Sequence, residues 1–212
     1  SRDVYTLASS GTGAMEAAVV NLLSAGDLVL VVNAGKFGER WGKICKAYGV
    51  NTILLDVEWG HVVTPEQIAE KLKESPDIKV VFTTLCETST ATLLPIKEIA
   101  EVVSKTDACL VVDAVSGMGV EEFKTDEWQV DVVAVGSQKG LMIPPGLGLV
   151  TMSEKAWGLA AKSTLPKFYF SLTAAKKNLA DRQTAYTPAV SLIYALRQAL
   201  KMMKEEGIEN VW

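Results

Sequence analysis

Ala108-Cys109-Leu110-Val111-Val112 is a strand-like run, apolar on both faces, and it leads directly into Asp113-Ala114-Val115-Ser116. A run without polar alternation fits a strand covered on both sides, as in the interior of a parallel sheet. Working outward, similar runs recur at 27–32, 51–55, 79–84, 131–135 and 148–151. Helical patterns separate several of them, at Lys36 to Tyr48, after Thr64-Pro65-Glu66-Gln67, and at Pro95 to Ser104. Thr64 has the features of an N-cap, with proline at the first helical position and Gln67 completing a capping box. Apolar strands alternating with helices predict a doubly wound α/β domain, a mostly parallel sheet between two helical layers. From Ser153 onward the pattern is helical and ends in a long amphipathic stretch from Pro188 to about Glu206. No repeat or linker divides the chain, so residues 1–212 read as one domain.

Composition narrows the function classes. The net charge of -4, with Lys and Arg scattered among Asp and Glu, gives no basic surface for a nucleic acid. A single histidine, His61, excludes a multi-histidine metal site and argues against a Ser-His-Asp triad. Cys45, Cys86 and Cys109 are odd in number and widely spaced, which suits free thiols in a reducing compartment. No apolar run reaches the ~18 residues of a membrane span, and the expected location is the cytoplasm.

Open α/β sheets bind ligands beyond the carboxyl ends of their strands, so the turns at those ends are the places to search. Ser9-Ser10-Gly11-Thr12-Gly13 precedes the helical run from Ala14. It reads either as an anion cradle at a helix start or as an N-cap with a flexible glycine turn. Neither a P-loop nor a full dinucleotide fingerprint is present. Asp113 is an acid at the end of an apolar strand, where its desolvation needs compensation. Its partner can be a metal, a ribose hydroxyl or a protonated ring nitrogen, or it can cap the following turn. Gly136-Ser137-Gln138-Lys139-Gly140 follows another strand, and Pro144-Pro145-Gly146 keeps the region out of regular helix. Lys139 is either a solvated surface lysine or a partly desolvated nucleophile toward carbonyls.

An anion cradle, an acid and a loop lysine at three strand ends together match the needs of pyridoxal 5'-phosphate (PLP). The cradle suits the phosphate, the acid the pyridine nitrogen and the lysine the aldehyde. Phe37 can cover the ring face or simply belong to the core.

At these residues the sequence resembles the class V aminotransferases of PLP fold type I, especially the alanine/serine–glyoxylate (serine–pyruvate) branch. The likeness runs through SSGTGAMEAAV (9–19), NAGKFGERW (33–41), ETSTATLLP (87–95), VVDAVSGMG (111–119), VGSQKGLMIPPGLG (135–148) and AYTPAVSLIYALRQAL (185–200). It implies that Lys139 is the Schiff-base lysine and that Asp113 pairs with the pyridinium nitrogen. Val115 and Phe37 would cover the two ring faces, Phe37 standing where close relatives often have Trp. Ser10, Gly11 and Thr12 would bind the phosphate with help from Gln138, and Thr88 would lie near cofactor and substrate carboxylate. Tyr186 and Thr187 match a segment that reaches the neighbouring subunit's phosphate, which implies a homodimer.

The implied reaction transfers an amino group between a small amino acid (serine or alanine) and a keto acid (glyoxylate or pyruvate). Family members usually have Gly after ETST, where this chain has Ala91. They also carry an N-terminal arm and a smaller C-terminal domain with the carboxylate-binding arginine, so the chain is expected to be the large domain alone. Two other readings are a class V lyase such as a cysteine desulfurase, and a PLP-binding or dimerising fragment without turnover. The lyases generally have His immediately before the lysine, where Gln138 stands here.

Overall fold

The structure, a computed structural model, describes residues 2–212. Its main sheet has seven strands: β1 (Val4–Ala8), β2 (Leu28–Asn33), β3 (Asn51–Asp56), β4 (Val80–Thr84), β7 (Cys109–Asp113), β8 (Val132–Gly136) and β9 (Leu147–Met152). β5 (Cys86–Glu87) and β6 (Thr92–Leu93) form a small antiparallel ribbon after β4. Across the main sheet the order is β1-β9-β8-β7-β4-β2-β3. Only β9 runs antiparallel to its neighbours, so β2, β3, β4, β7 and β8 all end on one edge.

The described residues form eight helices, α1 (Gly11–Leu22), α2 (Lys36–Ala47), α3 (Pro65–Glu74), α4 (Ile96–Val103), α5 (Glu154–Ala160), α6 (Leu172–Ala180), α7 (Val190–Glu206) and α8 (Ile208–Val211). The predicted capping box of α3 is present: the Gln67 amide donates to Thr64 Oγ1 and the Thr64 amide to Gln67 Oε1. The helical pattern expected after Ser153 is realised as four helices, the amphipathic stretch from Pro188 as α7. Extended segments at 161–171 and 181–189 separate the first three. The chain turns there to cross back over β1.

Side-chain alternation along the strands divides the core into two halves. Val29, Val31, Phe82, Cys109, Val111, Val132 and Ala134 face a layer built from α1, α2 and α5. Leu30, Val32, Val81, Leu110, Val112, Val133 and Val135 face α3, α4 and α7. All residues of β4, β7 and β8 are buried, as the apolar runs predict for interior parallel strands. Trp41 fixes α2 to the sheet. It is fully buried, lies 4.7 Å from the Phe82 ring and donates through Nε1 to the Thr83 carbonyl at 3.2 Å. By parity along β7, Asp113 projects to the same face as Cys109 and Val111, toward α1 and α2.

Ala91 has φ 54°, in the left-handed region that favours glycine. The ribbon turn between β5 and β6 demands that conformation, which accounts for the usual glycine after ETST. An Ala91→Gly substitution is expected to raise stability by about 0.5–1 kcal/mol, measured by urea unfolding. Unchanged or lowered stability would show that the turn relaxes without it.

Candidate active site

Three strand ends and two helix starts converge around Asp113. Its side chain is 3% exposed and accepts one hydrogen bond, from the Val115 amide to Oδ1 at 2.9 Å. Burial pushes its pKa up from 3.8 to about 6, and the Val115 amide, Arg40 and Lys139 oppose the rise while Glu87 adds to it. Beside it in register, Thr84 on β4 carries a buried hydroxyl with no hydrogen-bond partner. A half-satisfied acid next to an orphaned hydroxyl marks a place built to receive another polar group.

Asp131 provides the contrast, at the opposite edge of the same sheet. It is also buried, but the Leu110 amide and the Ser153 hydroxyl bond both its oxygens, at 2.9 and 2.6 Å. That acid ties β7, β8 and β9 together. Asp113 caps the following turn through the Val115 amide, as the sequence allowed, but its second oxygen has no partner among the described residues.

α1 begins directly over this position. Ser10 occupies the N-cap, as the sequence's N-cap alternative has it, but its side chain makes no capping bond. The glycines there serve close approach rather than a flexible turn. A Cβ on Gly11 would lie 2.6 Å from Val115 Cγ2, and one on Gly13 2.7 Å from Ser9 Oγ. A Cβ on Gly136, the last residue of β8, would lie 3.0 Å from Gln138 Oε1, 3.2 Å from Val115 and 3.4 Å from the Gly11 Cα. Gly11, Val115, Gly136 and Gln138 therefore meet at one point, and the first-turn N–H groups of α1 present a site of positive potential.

Lys139 follows on a loop that Ser137 pins in place. The Ser137 hydroxyl donates to the Pro144 carbonyl at 2.8 Å and accepts from the Leu147 amide at 3.2 Å. The Lys139 carbonyl accepts from the Met142 amide at 2.9 Å. The lysine side chain is exposed rather than partly desolvated, with its charge acting on Asp113.

The opposite wall is the first turn of α2. Buried Glu87 caps it, accepting from the amides of Phe37 at 3.1 Å and Gly38 at 2.9 Å, and from the Ser89 hydroxyl at 2.5 Å. Phe37 is half-buried on this turn, and the Arg40 guanidinium lies 4.8 Å from its ring centre. Thr88 donates to the Ser116 hydroxyl at 2.7 Å, joining the ribbon turn to the segment after β7. Sequence reasoning singled out neither Glu87 nor Arg40, although both fall in segments that carry the resemblance.

Tyr186 and Thr187 lie apart from this cluster, beside β1. Tyr186 stacks on Tyr169 with centroids 5.1 Å apart and donates to the Phe168 carbonyl at 2.8 Å. Tyr169 in turn donates to the Ala8 carbonyl at 3.2 Å, near the start of α1. Within one chain, then, these two residues flank the α1 start without entering the Asp113 site.

The family model described as aminotransferase class-V matches residues 4–212. The chain belongs to the class V aminotransferase family. It is 45% identical over 214 residues to a protein named soluble hydrogenase, small subunit, of Synechococcus sp. (strain PCC 6716), covering 99% of this chain and 56% of that one. It is 37% identical over 218 residues to the serine–glyoxylate aminotransferase of Methylorubrum extorquens, covering 99% of this chain and 54% of the relative. The ureidoglycine–glyoxylate aminotransferase of Bacillus subtilis superposes with a TM-score of 0.94 at 33% identity, over 99% of this chain and 55% of that structure. This class V chain spans little more than half the length of these relatives. The fold type I expectation is borne out, with a mostly parallel seven-stranded sheet between helical layers.

The elevated Asp113 pKa makes a prediction with a definite sign. The unfolded chain releases this proton near pH 3.8 and the folded one near 6. Its contribution to stability is therefore full below about pH 4, declines as pH rises to about 6, and stays lost above. The shift corresponds to on the order of 3 kcal/mol at pH 7. Asp113→Asn should stabilise the ligand-free protein by up to about that amount at pH 7 and by little at pH 4, read from urea midpoints. A variant no more stable than wild type at pH 7 would mean that Asp113 is not held against its desolvation.

Proposed function

We propose that the protein is a PLP-dependent aminotransferase acting between a small amino acid, serine or alanine, and a keto acid such as glyoxylate or pyruvate. The observation that carries this reading is buried Asp113, with a single hydrogen bond, sharing one site with an uncapped helix start and a loop lysine. The residues fit the cofactor: the acid needs a cationic partner, the helix start an anion, and Lys139 is free to bond an aldehyde. When bound, PLP supplies an electron sink that stabilises a carbanion at the substrate's Cα.

The chain's own residues do the rest. Asp113 would keep the proton on the ring nitrogen, and that positive charge would offset the carboxylate's burial. Ser10, Gly11 and Thr12 bind the phosphate at the start of α1, with Gln138 beside them. Phe37 and Val115 would cover the two faces of the ring. Lys139 Nζ would hold the cofactor through its aldehyde, and its free amine would serve as general base and acid for the proton at the substrate Cα. Thr88, fixed by Ser116, borders the substrate's carboxylate.

In a homodimer, Tyr186 and Thr187 would reach the partner's phosphate. The same reading makes residues 1–212 the large, cofactor-binding domain, with the carboxylate-binding arginine supplied from elsewhere. Three free thiols suit a reducing compartment such as the cytoplasm.

The cysteine desulfurase alternative needs a reactive thiolate. Burial instead pushes Cys45 and Cys109 up to about 12 and raises Cys86, which leaves no activated thiol among the described cysteines.

Borohydride reduction of the PLP-treated protein, followed by peptide mapping, should place the cofactor on Lys139. Lys139→Ala should abolish transamination, a loss of at least about 10³-fold for a group that both anchors and transfers the proton. Label on another lysine, or turnover retained in Lys139→Ala, would overturn the assignment.

A further inference from the structure

Arg40 has no ordinary explanation in the fold. It sits in the first turns of α2 and faces the first turn of α1, so its positive charge stands beside the positive ends of two helices. Such a placement is unfavourable unless an acid or an anion compensates. Asp113 feels the charge of Arg40, but no hydrogen bond or ion pair joins the two, and the other acids at hand are already engaged. Glu39 pairs with Lys36 and Lys43, and Glu87 is taken up by the α2 amides and Ser89. Among the described residues Arg40 bonds no carboxylate. Its polar contact is Nη1 donating to Thr12 Oγ1 at 3.0 Å, while the guanidinium packs on Phe37.

That hydrogen bond has a direction. Arginine has no acceptor, so the Thr12 oxygen receives and its own O–H remains to be donated elsewhere. Thr12 is exposed at the α1 start, so that O–H is open to a ligand there.

We infer that Arg40 is a further determinant of the anion site, orienting the Thr12 hydroxyl toward the cofactor's phosphate and supplying the charge that complements it. Arg40 is a positioning residue here, acting through Thr12 and by its field. The same guanidinium braces Phe37, so one side chain links phosphate recognition to the placement of the ring's cover. The inference rests on the PLP reading, and it predicts selectivity for the phosphorylated cofactor over pyridoxal.

The test is equilibrium binding of PLP, pyridoxal and inorganic phosphate to the ligand-free protein, by absorbance and calorimetric titration. Arg40→Met keeps a packing chain over Phe37 but removes the charge and the donor. It should weaken PLP and phosphate binding by about tenfold to a hundredfold while leaving pyridoxal binding near wild type. Adding Thr12→Val to Arg40→Met should cost less than Thr12→Val does alone, because the two act together. Arg40→Gln, which retains a donor without the charge, should fall between wild type and Arg40→Met, and it carries the test if the methionine variant does not fold. Equal weakening of PLP and pyridoxal, or no weakening of either, overturns the role of Arg40 and leaves the PLP reading standing. Failure of the wild-type protein to take up PLP at all overturns both.

Discussion

The burial of one carboxyl at the end of β7 is the constraint around which this molecule is organised. Asp113 sits at the functional edge with most of its hydration removed and one amide in return. A domain of this size is stable by only about 5–15 kcal/mol, so a cost on the order of 3 kcal/mol is a large share to leave uncompensated. Asp131 shows that the fold can satisfy a buried acid fully when structure requires it. The two acids differ in that Asp131 has both oxygens bonded and Asp113 has one.

The surroundings of Asp113 are arranged by contacts distant in sequence. Glu87 caps α2 from β5, just beyond the end of β4, fixing the turn that carries Phe37 and Arg40. Trp41 clamps the same helix to Phe82 beneath it. On the other side, glycines at 11 and 136 let α1 descend onto β8 and Val115, closer than a side chain would permit. Ser137 holds the lysine loop by bonding across its two ends. Each wall of the site thus rests on a rigid element, as chemistry that depends on sub-ångström placement requires.

Much of this could be read from the sequence, and the parts that could not have physical reasons. Interior strands announced themselves through uninterrupted apolar runs, and Thr64 and Gln67 announced the start of α3. β1 did not, because an edge strand with alternating exposure, Val4 to Ala8, lacks the apolar run that marked the others. The reversal of β9 leaves no trace in composition, since antiparallel pairing with β8 buries its residues just as parallel pairing would. The breaks after α5 and α6 escaped notice because short amphipathic helices and the extended segments between them share similar residues. Asp113 and Lys139 were legible from their places at strand ends. Glu87 and Arg40 were not, because an acid and a base in polar surroundings look like solvated charges until their partners, 50 and 28 residues away, are brought beside them.

The central claim is that Asp113 is held in a costly state so that a cationic ring can relieve it. Carbon-13 NMR titration of the Asp113 carboxyl, with and without bound PLP, tests it most directly. The account predicts a pKa near 6 in the ligand-free protein, falling below the ordinary aspartate range when the cofactor is bound. A carboxyl that titrates identically in both states would contradict it.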